Sequence, residues 1–184
     1  MPVVVLDANV IQIMGGHPGW VNESGDTETD PEFLRLPVWY QEEIRALSAL
    51  NLAVPRLSST AFIPPPSAIA ELSRARKGVA WNSLVGWGGA ISAWADRWFW
   101  QELDDRDAAA LRGDWKRAQS LDLSFLRDHG DRAVARIAYA LKSWYARVVT
   151  TDRKSFWRHR DILARLGIVV GLPSELWDEI GPCL

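Results

Sequence analysis

The sequence predicts an α/β fold: a small parallel sheet with helices around it and a tryptophan-rich helical insertion. Three observations carry this. The runs VVVL at 3–6, VV at 148–149 and IVV at 168–170 are short, apolar and rich in β-branched residues. They lack the polar alternation of a half-exposed strand, which is the pattern of strands buried on both faces. Segments of helical periodicity separate them, giving the order strand, helices, long helical middle, helix, strand, helix, strand, helix. Finally, 184 residues with 48% apolar and 24% charged suit one domain, residues 1–184, whose core needs no covalent staple.

The first strand runs directly into Asp7-Ala8-Asn9 and Val10-Ile11. It therefore ends on a carboxylate, at the edge where open α/β sheets keep their ligands. Residues 15–32 hold four glycines, two prolines and five acids but no Lys or Arg, and read as a solvated loop. Residues 37–53 read as a helix, with Ile44, Leu47, Leu50 and Tyr40 on its apolar stripe and Val38, Glu42 and Arg45 outside. Phe62-Ile63 followed by three prolines reads as a short extended piece at a sheet edge, since proline cannot donate to a central ladder. Ser67 then caps a helix over 68–76 that carries Glu71.

The middle of the chain is unusual. Six of the eleven tryptophans fall within residues 81–115. Leu84, Trp87, Ile91, Trp94 and Trp98 recur at steps of 3, 4, 3 and 4, one stripe of a helix over 81–100. Tryptophans at that spacing read first as packing, next as a partner interface and last as a stacking surface for bases. Residues 101–107 read as a charged turn, and 108–118 as a helix with Leu111 and Trp115 inward. Residues 131–144 carry the strongest helical pattern, with Val134, Ile137, Ala138 and Leu141 buried. A strand over 147–150 follows, with Asp152 two residues beyond it. A helix over 162–166 closes at Gly167, the last strand covers 168–170, and Pro173-Ser174 open a final helix to Ile180.

Charge excludes some function classes. Twenty-one Lys and Arg against twenty-three Asp and Glu give a net charge of −2, so the chain as a whole does not attract polyanions. A nucleic-acid site must be a local patch, and two patches exist. Residues 127–160 hold nine Lys and Arg against three acids, and Arg74, Arg76 and Lys77 cluster just past Glu71. Within the first patch, Arg132, Arg153 and Lys154 stand beside the acids and are the expected nucleic-acid contacts. The single cysteine, Cys183, excludes an internal disulfide and a Cys-rich zinc site, and the three histidines show no HExxH spacing. The opening segment has no basic n-region, and no stretch reaches the ~18 apolar residues a span requires. The expectation is a cytoplasmic protein with no membrane partner.

One constellation carries chemistry. Asp7 and Asp152 each follow an apolar strand, so a parallel sheet brings them to one edge. Asp131 opens a helix whose N-terminus favours negative charge at that edge. Asp128, one turn earlier, is a further candidate, and Glu71 lies one turn into another helix. Carboxylates converging without lysine partners repel, an arrangement natural around a divalent cation. With no His or Cys placed as a soft ligand, the cation is a hard one, Mg²⁺ or Mn²⁺. Such a site suits phosphodiester hydrolysis, because a bound metal acidifies water and offsets charge on phosphate oxygens. Plainer roles stand beside these: Asp7 or Asp131 as a helix cap, Asp152 as a turn residue, Asp128 as a surface acid. Asn9, Thr150 and Thr151 read either as groups that orient the acids or as strand-end structure. Asn9 also stands where an aspartyl phosphatase would want a second aspartate.

In order and setting, four short motifs resemble those of the PIN domain nucleases. The opening strand with Asp7-Ala8-Asn9-Val10-Ile11 looks like the first motif, and Ser67-Ala68-Ile69-Ala70-Glu71-Leu72 the second. Asp131 at the head of an alanine-rich helix is similar to the third, and Val148-Val149-Thr150-Thr151-Asp152 with Phe156 to the fourth. The resemblance covers about 1–14, 67–77 and 125–180 and leaves 78–124 as a helical insertion. It implies a PIN-like three-layer α/β/α fold. It also implies metal-dependent cleavage, mostly of RNA, with Asp7, Glu71, Asp131 and Asp152 as the metal-holding residues. In many small bacterial members it implies a toxin restrained by an antitoxin protein, and members commonly form homodimers. Two other readings stay open: a catalytically silent interaction protein that keeps the fold, and a nuclease directed at DNA.

Overall fold

The computed structural model describes residues 3–16, 20, 21, 27, 29–53, 61–63 and 105–183. The expected helices over 68–76 and 81–100, with Glu71, Arg74, Arg76, Lys77 and the whole tryptophan stripe, lie outside the described residues.

Strand β1 (Val3–Leu6) is followed by helices α1 (Ala8–Gly16), α2 (Pro31–Leu34) and α3 (Val38–Ala53), then strand β2 (Ala61–Ile63). Helices α4 (Asp105–Gln119) and α5 (His129–Ala140) precede β3 (Arg147–Val149). Helix α6 (Arg160–Arg165), strand β4 (Val169–Gly171) and helix α7 (Pro173–Ile180) complete the order. The four strands are parallel and lie in the order β2-β1-β3-β4. Leu6 pairs with Val149, and Val149 in turn with Gly171, so the carboxyl ends of three strands are level.

The strands send alternate residues to opposite faces, as pleating requires. Val4, Leu6 and Val149 join Val10 and Ile11 of α1, Ile44, Leu47 and Leu50 of α3, and Leu176 of α7. Val3, Val5 and Val148 join Val134, Ala135 and Ala138 of α5 and Leu163 of α6, with Phe156 and Ile168. The architecture is therefore three-layered, α/β/α, around a small parallel sheet. Val3, Val5 and Val148 are wholly buried. Each such side chain contributes roughly 1.5–3 kcal/mol, which lets the core carry polar groups at the strand ends. Among the described residues no helix is long and apolar enough to cross a membrane.

Several boundaries differ from the sequence reading. Gly15 and Gly16 end α1, and Pro31 opens α2, so the expected loop over 15–32 is shorter. Asp30 makes that second helix start, its Oδ1 accepting from the amide of Glu32. The expected turn over 101–107 gives way to α4 at Asp105. The helix expected over 131–144 begins earlier, at His129, and ends at Ala140. A 3₁₀ turn over Lys142–Trp144 follows, closed by Tyr145 in the left-handed region at φ 53°. Trp115, expected inward, is 43% exposed. Leu111 does pack half-buried against the core, and the buried residues of α4 among those described are Asp114 and Ala118, four residues apart. Asp114 is tolerated inside because Arg117, Lys142 and Ser143 all reach its carboxylate. Within the expected insertion, α4 packs along α5, and Ala118 and Leu123 are buried. The extended piece at Phe62-Ile63 forms an edge strand, as its prolines require.

Candidate active site

Between β1 and β3 the order of the sheet reverses: β2 lies on one side of β1, while β3 and β4 lie on the other. The crevice outside the strand ends at such a point is where open α/β sheets bind ligands. Here it holds a cleft of about 1040 Å³. Asp7, Asp131 and Asp152 line it together, with Asp128 beside them.

Asp7 is the first residue past β1 and is 3% exposed. Its amide donates to the carbonyl of Val149 at 3.1 Å, so the backbone pairing persists one residue past the strand. Its Oδ1 accepts from the amide of Ala8 at 2.7 Å. Its Oδ2 accepts from Asn9 Nδ2 and Thr150 Oγ1, each at 2.7 Å. Thr150 follows β3, directly across the sheet, and its oxygen in turn accepts from the amide of Asp152 at 2.9 Å. Asn9 Oδ1 accepts from the amide and the hydroxyl of Thr151 at 3.0 and 3.1 Å. Asn9, Thr150 and Thr151 thus lock two strand ends around one carboxylate. Even so, Asp7 is pushed up to about 7: burial disfavours its charge most, the Thr150 hydrogen bond opposes that, and the charges of Asp131 and Asp152 raise it further.

Asp152 Oδ1 accepts from the amides of Lys154 and Ser155 at 2.7 and 3.2 Å, which turns the chain sharply after β3. Asp131 sits in the first turn of α5, and its Oδ2 accepts a short hydrogen bond from Ser155 Oγ. Asp128, a candidate ligand from sequence, is the N-cap of α5: its Oδ1 accepts from the amides of Gly130 and Asp131 at 2.5 and 3.4 Å. That also removes the N-cap role from Asp131, because the helix starts two residues earlier than the sequence reading had it.

Arg127, Arg153, Lys154 and Arg158 line the cleft, a basic rim around the acids. Arg132, expected to contact nucleic acid, lies on α5 outside that lining. The wall also carries Phe125 and His159, whose rings sit 5.5 Å apart. His159 Nδ1 is 2.8 Å from the carbonyl of Ser155. A carbonyl only accepts, so Nδ1 is the donor in this contact.

Sequence reasoning did not single out Ser155, Phe125 or His159. It also missed Glu43, which is 2% exposed. The helical register held the signal for Glu43: it lies four residues before Leu47 and seven before Leu50, on the buried side of α3.

Asp7, Asp131 and Asp152 offer oxygen donors alone, the chemistry a hard divalent cation takes. Among the described residues, no three His, Cys, Asp or Glu side chains stand close enough to hold an ion as they are. The fit is therefore one of donor type and mutual charge, with Glu71 outside the described residues. Compared with protein-family models, curated proteins and solved structures, the chain matches none.

Proposed function

We propose that this chain is a metal-dependent ribonuclease with a PIN-like fold, acting in the cleft at the β1/β3 reversal. The observation that carries the proposal is Asp7. A carboxylate sealed into a strand end, held by three donors and raised to about 7 by burial and by two neighbouring acids, is costly to a fold. A cation drawn to the three acids would offset that cost. A carboxylate so perturbed in a cleft makes the cleft a candidate functional site. The basic rim favours a phosphate backbone over a neutral or cationic substrate.

Asp7, Asp131 and Asp152, with Glu71, would hold Mg²⁺ or Mn²⁺. That ion would supply an acidified water and positive charge at the scissile phosphate. The chain's own residues do the rest. Ala8, Asn9 and Thr150 keep the Asp7 carboxylate in one orientation. The Asp152 turn places Arg153 and Lys154 beside the acids, where they bind phosphates on either side of the cut. Ser155 orients Asp131.

The test is cleavage of labelled single-stranded RNA and matched DNA with Mg²⁺ or Mn²⁺. Wild type should cut RNA, and Asp7→Asn and Asp152→Asn should abolish cutting. Asn9→Ala should cost about 10–100-fold, the usual effect of a residue that orients a metal-holding group. Equal cleavage by wild type and Asp7→Asn would overturn the proposal, and preference for DNA would move the substrate.

A further inference from the structure

Arg153 is held at the rim of the cleft by groups that the reading above does not use. The side chain of Glu43 is only 3% exposed. Its carboxylate accepts from the amide of Ser174 at 2.9 Å and from Ser174 Oγ at 3.1 Å, at the start of α7. It also accepts from Arg153 Nη2 at 3.4 Å. The guanidinium carbon of Arg153 lies 4.3 Å from the ring centroid of Trp39, one turn before Glu43 on α3. Arg153 thus has an ion pair on one side and an indole face under it, while lining the cleft next to Asp152. Glu43 takes one of its five donors.

We propose that Glu43 and Trp39 are positioning residues that pre-set Arg153 as a phosphate contact; this rests on the nuclease reading. Two arguments support it. Holding α7 alone does not call for a charge, since a glutamine could meet both Ser174 groups, its oxygen accepting from the amide and its NH₂ donating to the hydroxyl, whereas a full negative charge is matched among the described residues by the arginine. A buried carboxylate beside an anion-binding cleft also repels phosphate, so its presence there calls for a compensating gain. Immobilising a long side chain before binding is such a gain.

The two roles differ in sign. By Coulomb's law alone, Glu43→Gln removes a negative charge near the cleft and tightens RNA binding. If Glu43 positions Arg153, the same change weakens it. The experiment measures binding of a labelled single-stranded RNA by anisotropy across a salt series, with Ca²⁺ replacing Mg²⁺ to suppress turnover. Wild type, Glu43→Gln, Trp39→Leu, Arg153→Gln and the Glu43→Gln/Arg153→Gln pair are compared, each checked for folding by circular dichroism.

Arg153→Gln should weaken binding and reduce the salt slope by about one. Glu43→Gln and Trp39→Leu should each weaken binding about three- to tenfold, the cost of ordering one long side chain. In turnover, both should raise KM and leave kcat within about twofold. Glu43→Gln should have no further effect once Arg153 is gone. If Glu43→Gln fails to fold because α7 loses its hold, Trp39→Leu carries the test, since it leaves the Glu43–Ser174 contacts in place. Binding by Glu43→Gln or Trp39→Leu as tight as wild type overturns the inference, as does a full additional effect of Glu43→Gln in the Arg153→Gln background. A wild-type protein that does not bind RNA fails the nuclease reading itself. Wild-type binding with an unchanged salt slope in Arg153→Gln overturns only the role given to Arg153.

Discussion

Asp7 concentrates the conflict between folding and function in one side chain. The folded chain holds its proton up to about pH 7, while an unfolded aspartate sheds it near 3.8. Between those values the native state binds more protons, so the contribution of this group to stability is greatest below about pH 3.8 and is lost as pH rises to about 7. Three pKa units correspond to about 4 kcal/mol at most. Without metal, the melting temperature of wild type should therefore fall relative to Asp7→Asn between pH 5 and pH 8, and saturating Mn²⁺ should remove that divergence. Parallel pH profiles for the two proteins would show that Asp7 is not the buried acid described. Thr150→Val should act in the opposite sense to neutralisation. It deletes the hydrogen bond that most lowers the pKa of Asp7, so the loss of stability still begins near pH 3.8 but continues to higher pH. It also leaves Asp7 and the amide of Asp152 short of a partner, at about 1–3 kcal/mol.

At the scale of elements, the sequence was most legible where periodicity and punctuation agree. The short strands were readable because β-branched runs without polar alternation have few other uses, and the edge strand because three prolines follow it. The stripe of α3, the left-handed Gly167 just past α6 and Pro173 at the first position of α7 were equally plain. Less legible were features decided by tertiary contacts. Asp128 rather than Asp131 caps α5, a choice between two aspartates three residues apart that depends on which amides each can reach. Asp114 is buried on α4 with Arg117, one turn along, on one oxygen, and with Lys142 and Ser143, distant in sequence, completing its surroundings. Glu43 is buried for the same reason, through Ser174 and Arg153. The cap has a direct test. Asp128→Ala should cost about 1 kcal/mol in denaturant unfolding, while Asp128→Asn, an equally good cap, should be near neutral. Both should bind Mn²⁺ as wild type does if Asp128 serves as a cap alone, and loss of metal affinity in Asp128→Asn would show that it is also a ligand.

At the scale of the molecule, function follows from where the sheet reverses. With β2 on one side of β1 and β3 on the other, the crevice opens where Asp7 and Asp152 leave their strands, and α5 brings Asp131 to the same place. A chain with net charge −2 then sets four basic side chains, Arg127, Arg153, Lys154 and Arg158, around the four acids Asp7, Asp128, Asp131 and Asp152 in one cleft, so the rim offsets the charge of the acids. The convergence of Asp7, Asp131 and Asp152 was legible from strand ends and one helix start. The basic rim was legible only as a local excess of charge, and Arg132 shows that such an excess does not say which arginines face the cleft. The measurement that bears most directly on this account is a calorimetric titration of Mn²⁺ into wild type and Asp7→Asn at pH 7, repeated in buffers of different ionisation heat. Wild type should bind and release protons as Asp7 gives up its own, and Asp7→Asn should bind at least about tenfold more weakly with no such release. Absence of Mn²⁺ binding by wild type, or identical binding and proton release in the two proteins, would contradict it.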